Sequence, residues 1–224
     1  YGLVLTRSRG AAIGLAVMIA LAVRDRLGKT GAWVMSALIA AGLLAANFGG
    51  ARALSLREAS IAGRLEAWSA GLQMLKNSPL FGVGFRAFTD HHELTAHNSF
   101  VLCFAETGMA GYFLWLGLLV ATARDLNILS GLSAAEPAQA EARRWARAVR
   151  LAYYTFLATS WFLSRTYIPT LYLLIAMVVG LREMARQNGW ARLPGLDRRW
   201  LTVTVAAQFL SVTLIYVTVR LRSL

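Results

Sequence analysis

His97 stands in the run Ala96-His97-Asn98-Ser99-Phe100, at the mouth of a long apolar stretch. Over residues 99–122 the only ionisable side chains are Cys103, Glu106 and Tyr112. An unperturbed imidazole has a pKa of about 6.5, so a histidine placed there is equipped to move a proton near neutral pH. The second chemically capable set is cationic: Arg9, Arg52, Arg64 and Arg86. A guanidinium is planar, always charged and donates two parallel hydrogen bonds, which suits phosphate oxygens. A base and several arginines beside an apolar stretch point to chemistry at a membrane surface.

Each of these residues also has a plainer reading. Arg64 falls at the border of an apolar helical stripe, where it either snorkels to the lipid surface or grips an anionic headgroup. Arg7 and Arg9 abut the first apolar stretch in Thr6-Arg7-Ser8-Arg9-Gly10, with Arg9 the deeper of the two. Intramembrane arginines usually face a polar cavity or a bound anion, and the alternative is a short turn with both in headgroups. Asn98 caps the helix start or positions the histidine. Glu106 follows His97 by nine residues, about 180° around an ideal helix. It is therefore expected to bond to a neighbouring helix and not to join His97. His91, His92 and His97 share one loop but lack the thiol or carboxylate spacing of a zinc site, so no metal is expected. Cys103 is the lone cysteine and reads as a small buried apolar side chain.

These residues need a membrane scaffold. The chain is 57% hydrophobic and 15% charged over 224 residues. Apolar stretches near the length that crosses a hydrocarbon core recur at 10–23, 31–48, 98–122, 149–163, 167–181 and 200–219. The expected fold is an all-α polytopic membrane protein with about six transmembrane helices, in one membrane domain over 1–224. Ser164-Arg165-Thr166 and Pro169 break the stretch 149–181 into a hairpin of two short helices. The chain starts with Tyr1 inside an apolar run, which reads as the C-terminal part of a longer chain. The net charge of +12 would suggest nucleic acid in a soluble protein. Here the basic segments 24–29, 124–150 and 182–199 alternate with less basic ones, as cytoplasmic loops do. No nucleic-acid partner is expected, and residues 49–96 fall on the external face.

That external loop carries Arg52, Arg57, Arg64, Lys76 and Arg86 where positive charge is usually sparse. Residues 60–76 read as an amphipathic helix, with Ile61, Leu65, Trp68, Leu72 and Leu75 on one stripe and Ser60 as its cap. Asn77-Ser78-Pro79 ends it. The turn Phe81-Gly82-Val83-Gly84-Phe85 lacks the context of a nucleotide loop and reads as a bend that places Phe81 and Phe85 against the membrane surface. Gly108 and Gly111 allow close helix packing or a local bend.

Three pieces together resemble the bacterial O-antigen ligase and O-antigen polymerase superfamily. They are Ser8-Arg9-Gly10, then Gly63-Arg64-Leu65-Glu66-Ala67-Trp68 running into Pro79-Leu80-Phe81-Gly82-Val83-Gly84-Phe85, and His97-Asn98 followed by Gly108 and Gly111. The resemblance implies a metal-independent glycosyltransferase without cofactor, multi-pass in the bacterial inner membrane with its site facing the periplasm. It implies a donor glycan on undecaprenyl diphosphate and a lipid A–core, glycan or protein acceptor. Arg9 and Arg64 would neutralise the departing diphosphate, His97 would be the base or a hydrogen-bonding orienter, and Arg52, Arg86 and Asn98 would contact substrate. A lipid A–core ligase is expected first; a polymerase or a protein O-oligosaccharyltransferase shares the pattern. Outside the superfamily stands a transporter with an anion-binding loop, for which no internal repeat speaks.

Overall fold

In a computed structural model the chain is described at residues 14–23, 28, 30, 31, 34 and 51–221, with side chains from Ile61 onward in the second half of that range. The described residues are helical, without strands. We label the helices α1 (Gly14–Val23), α2 (Ala51–Asn77), α3 (the single turn Phe88–His91), α4 (Ser99–Leu129), α5 (Pro137–Ser160), α6 (Pro169–Gln187) and α7 (Arg198–Arg220). The expected span 31–48 lies outside the described residues, apart from positions 31 and 34.

Helix α4 is the hub. Helices α2, α5, α6 and α7 all pack against it, and its sequence explains why. Val101, Leu102 and Phe104 are buried all round its first turns, and Tyr112, Trp115, Leu116, Leu119 and Leu126 form a broad buried face beyond the break at Gly108, with Leu114 and Leu118 left exposed. Helix α7 buries only a narrow strip, Thr204, Gln208 and Ile215, and leaves Phe209, Leu210 and Leu214 exposed. Such an outer face suits lipid.

Among the described residues two helices, α4 and α7, are long and apolar enough to cross a membrane, not six. The break expected at 164–169 is present, between the end of α5 at Ser160 and Pro169 in the first turn of α6. The helices on either side, however, extend into charged sequence. Arg143, Arg144, Arg147 and Arg150 lie within α5, leaving roughly 15 Å of uncharged helix beyond them. Arg182, Glu183 and Arg186 close α6 after about 20 Å. Both lengths fall short of the roughly 30 Å hydrocarbon core.

The basic segments that start at Arg124 and Arg182 meet at one end of the described bundle. Arg124, near the end of α4, donates to the carbonyls of Pro194 (2.7 Å) and Gly195 (2.9 Å), just before α7. Arg182 of α6 pairs with the buried Asp125 of α4 and also reaches the Pro194 carbonyl. The start of α4, the end of α5 and the start of α6 meet at the opposite end, where His97 sits.

Helix α2 differs from the expected 60–76. It begins by Ala51, so Ser60 is an interior residue and not a cap; the stop at Asn77 before Ser78-Pro79 is as expected. Its last turns bury Ala67, Trp68, Gly71 and Met74 against the protein. The chain then folds back along α4. At Gly108 (φ 63°, ψ −170°) α4 is broken, and the turn 79–84 is wedged into the break. Val83 N and Gly84 N donate to the carbonyls of Ala105 and Glu106, while Met109 N and Ala110 N donate to the carbonyls of Pro79 and Leu80. The four bonds satisfy backbone groups that a broken helix would otherwise leave orphaned.

A candidate site around His97 and Arg64

The strap 92–98 that carries His97 is tied down on three sides. From α2, the Trp68 indole Nε1 donates to the Ala96 carbonyl at 2.9 Å. From the 161–168 loop, Ser164 Oγ bonds Thr95 Oγ1 at 2.9 Å. Toward α4, Asn98 is fully buried and its Oδ1 accepts from Phe100 N (2.8 Å) and Val101 N (3.1 Å). An asparagine cap of this kind contributes about 1 kcal/mol. Asn98 Nδ2 is buried without a hydrogen-bond partner.

Between these ties His97 adopts φ 47°, a left-handed backbone that few side chains take up. The strain is of the order of 1 kcal/mol, and the bonds to its neighbours Ala96 and Asn98 hold the residue there. The imidazole is half-buried, and its pKa is lowered below the ordinary histidine value, first by loss of solvent and second by the charge of Arg64. A neutral ring, with a nitrogen free to accept a proton, is therefore the resting form near neutral pH. Arg64 lies one helical turn before Trp68, on the same face of α2. The turn that clamps Ala96 is thus the turn that brings Arg64 to His97.

Support comes from an aromatic chain. Trp68 meets Trp161 edge-on at 6.1 Å, Trp161 meets Phe100 at 5.3 Å, and Phe100 meets Trp115 at 5.5 Å. The 161–168 loop is hooked to α4 through Ser99, whose Oγ donates to Leu163 O (2.6 Å) and accepts from Arg165 N (2.7 Å). Thr166 Oγ1 donates to Ser99 O at 2.7 Å. This loop, with the exposed Arg165, forms a side of the site that sequence reasoning missed, because a contact across 66 residues has no local signal.

The other sequence-derived candidates are placed less closely. Arg86 is exposed, with φ 63°, and its guanidinium lies over the Phe85 ring at 5.4 Å. Phe85 and Phe81 are exposed, as the bend predicts, although Phe85 also packs edge-on against Tyr167 at 4.7 Å. Arg52 sits in the first turn of α2, about 18 Å along the axis from Arg64, so the helix does not bring the two together. Arg9 lies outside the described residues. His92 bonds locally to the Leu94 backbone, and among the described residues no group of three or more His, Cys, Asp or Glu side chains gathers.

Glu106 is buried, but its partner is a loop and not a helix side chain: Oε1 accepts from Phe88 N at 3.2 Å. Its Oε2 and the Tyr167 hydroxyl neighbour one another without an aligned hydrogen bond.

The described residues therefore bring together a half-buried imidazole and a guanidinium beside it, next to a strap tied to α2, α4 and the 161–168 loop. The model of the O-antigen ligase family matches residues 1–116, just over half of the chain. The chain belongs to the O-antigen ligase family. The match spans α2, the wedge turn, His97 and α4 beyond its break, so every site residue named from the sequence lies within it, and the 161–168 loop does not. It makes the chain part of a membrane-embedded ligase family of polysaccharide assembly. No curated protein and no solved structure matches the chain.

Proposed function

We propose that the protein transfers a glycan from undecaprenyl diphosphate to lipid A–core at the periplasmic face of the inner membrane, without a metal ion. The observation that carries this reading is the pairing of a half-buried, neutral His97 with Arg64. A base must be deprotonated before it can act, and a neighbouring cation keeps it so. That same cation suits the charge of a leaving diphosphate.

In this mechanism His97 takes the proton of the acceptor hydroxyl as its oxygen attacks the anomeric carbon. The new glycosidic C–O bond forms, and the bond from that carbon to the diphosphate oxygen breaks. The electron pair leaves with undecaprenyl diphosphate, whose developing charge is met by Arg64 and Arg9. Arg52 and Arg86 contact phosphate or sugar, and Asn98 fixes the start of α4 behind the base. Partial exclusion of water strengthens these charge contacts.

The test is transfer by full-length protein in membranes. His97→Ala and Arg64→Ala should each abolish it while leaving insertion intact; normal transfer by both variants refutes the assignment. A polymerase or protein-linking enzyme would retain this dependence on His97 but show it with a glycan or protein acceptor.

A further inference from the structure

Glu106 is an acid deep in an apolar helix that the proposed transfer does not use, and its three contacts all converge on one turn. Its backbone carbonyl accepts from Gly84 N at 2.9 Å. Its Oε1 accepts from Phe88 N at 3.2 Å. Its carboxyl group neighbours the Tyr167 hydroxyl, and the Tyr167 ring meets Phe85 edge-on at 4.7 Å. The Glu106 side chain thus holds residue 88 directly and residue 85 through Tyr167, while residue 84 is tied to its backbone carbonyl. Between them Arg86 is kept at φ 63°. A left-handed arginine with an exposed guanidinium is a strained conformation that the surroundings must impose. Within the turn itself the bond is Ala87 N to Gly84 O at 3.2 Å, and the buried Phe88 ring anchors its far end.

We propose that the Glu106 side chain is the positioning residue for Arg86, holding the Phe88 end of the turn that presents this guanidinium to the diphosphate of the donor. The proposal rests on the donor chemistry given above and adds a specific division of labour. Arg64 sits beside the base, and Arg86 binds the lipid diphosphate from the wedge turn. Glu106 touches neither substrate nor base. Its carboxylate matters as an acceptor for the Phe88 amide, so a neutral side chain with an oxygen at the same place can replace it.

The experiment is a double-mutant cycle on transfer kinetics with the full-length protein in membranes, varying the undecaprenyl-diphosphate-linked donor. Arg86→Ala and Glu106→Ala should each lower kcat/KM about tenfold, chiefly through a higher KM for donor, as expected for lost ground-state binding. The double variant should fall no further than the worse single variant, because both remove the same contact. Glu106→Gln should stay within about threefold of wild type, since its amide oxygen can still accept from Phe88 N. Should Glu106→Ala fail to accumulate, Glu106→Asp replaces it in the cycle, because the shorter side chain withdraws the oxygen from Phe88. Losses that multiply in the double variant, or an Arg86→Ala enzyme with wild-type KM, overturn the proposal. His97→Ala in the same membranes separates the two levels. An active His97→Ala enzyme removes the transfer reading itself, whereas multiplicative losses with His97→Ala inactive remove only the role of Glu106.

Discussion

Gly82 and Gly108 close one contact from opposite sides, and neither position has room for a side chain. A Cβ on Gly82 would meet the backbone of Ala105 and Glu106; a Cβ on Gly108 would meet the backbone of Leu80 and Phe81. Both have positive φ, 71° and 63°. The close approach allows the wedge turn to take over the backbone bonds at the break in α4. In an apolar helix an unmet amide or carbonyl is expensive, so the turn and the break stabilise each other.

Gly82→Ala and Gly108→Ala should therefore each lower stability by about 2 kcal/mol or more, combining backbone strain with a clash against main chain. Thermal unfolding in detergent would read this as a clear drop in Tm. A Gly108→Ala protein with unchanged Tm would show that the break is not structurally required. Gly180 offers a control, since a Cβ there meets nothing within 4 Å.

Trp68→Phe keeps an aromatic ring against Trp161 but removes the bond to the Ala96 carbonyl. The stability loss should be about 1 kcal/mol, the usual net worth of one hydrogen bond. Transfer should fall by more than that figure implies, because the strap then places His97 less exactly relative to Arg64. Equal transfer by Trp68→Phe and wild type would mean that this tether does not set the geometry of the site.

The acid side of the pH–rate profile follows from His97. Its pKa is lowered by burial and then by Arg64, so the required neutral form persists below the ordinary histidine value of about 6.5. Arg64→Gln removes the second cause, and the acid limb of its residual activity should move to higher pH. A limb that stays in place would deny the coupling. The sign for stability is the same. The unfolded chain binds the proton more readily than the folded one, so this residue's contribution is present at higher pH. It is lost as pH falls from about 6.5 through the lower folded value.

Much of the site was legible because it is local. The Arg64–Trp68 face follows from helical spacing, the end of α2 from Asn77-Ser78-Pro79, and the Asn98 cap from residue type. The bend allowed at Gly108 was likewise within reach of the sequence. The wedge itself was not, because pairing Gly82 with Gly108 needs a fold-back that hydropathy does not encode. Ser99 and the 161–168 loop were hidden for the same reason. Among the described residues fewer helices span than expected, because α5 and α6 carry arginines at the edges of the apolar windows 149–163 and 167–181. Glu106 was assigned a neighbouring helix as partner, and its actual partner is a backbone amide reached only once the turn is in place.

Ser99→Ala should release two of the three bonds that hook the 161–168 loop to α4, those made by its hydroxyl to Leu163 and Arg165. The expected loss is about 1 kcal/mol, since a part-buried carbonyl and an amide both lose their partner. Proteolysis or hydrogen exchange localised to that loop would report it. Unchanged protection there would mean that other contacts hold the loop.

The central claim is that His97 acts as the base beside Arg64. Its most direct measurement is single-turnover glycan transfer to lipid A–core by full-length His97→Ala protein whose membrane insertion equals wild type. The expected result is a rate at least about 100-fold lower, the usual contribution of a positioned base. Transfer at the wild-type rate would contradict it.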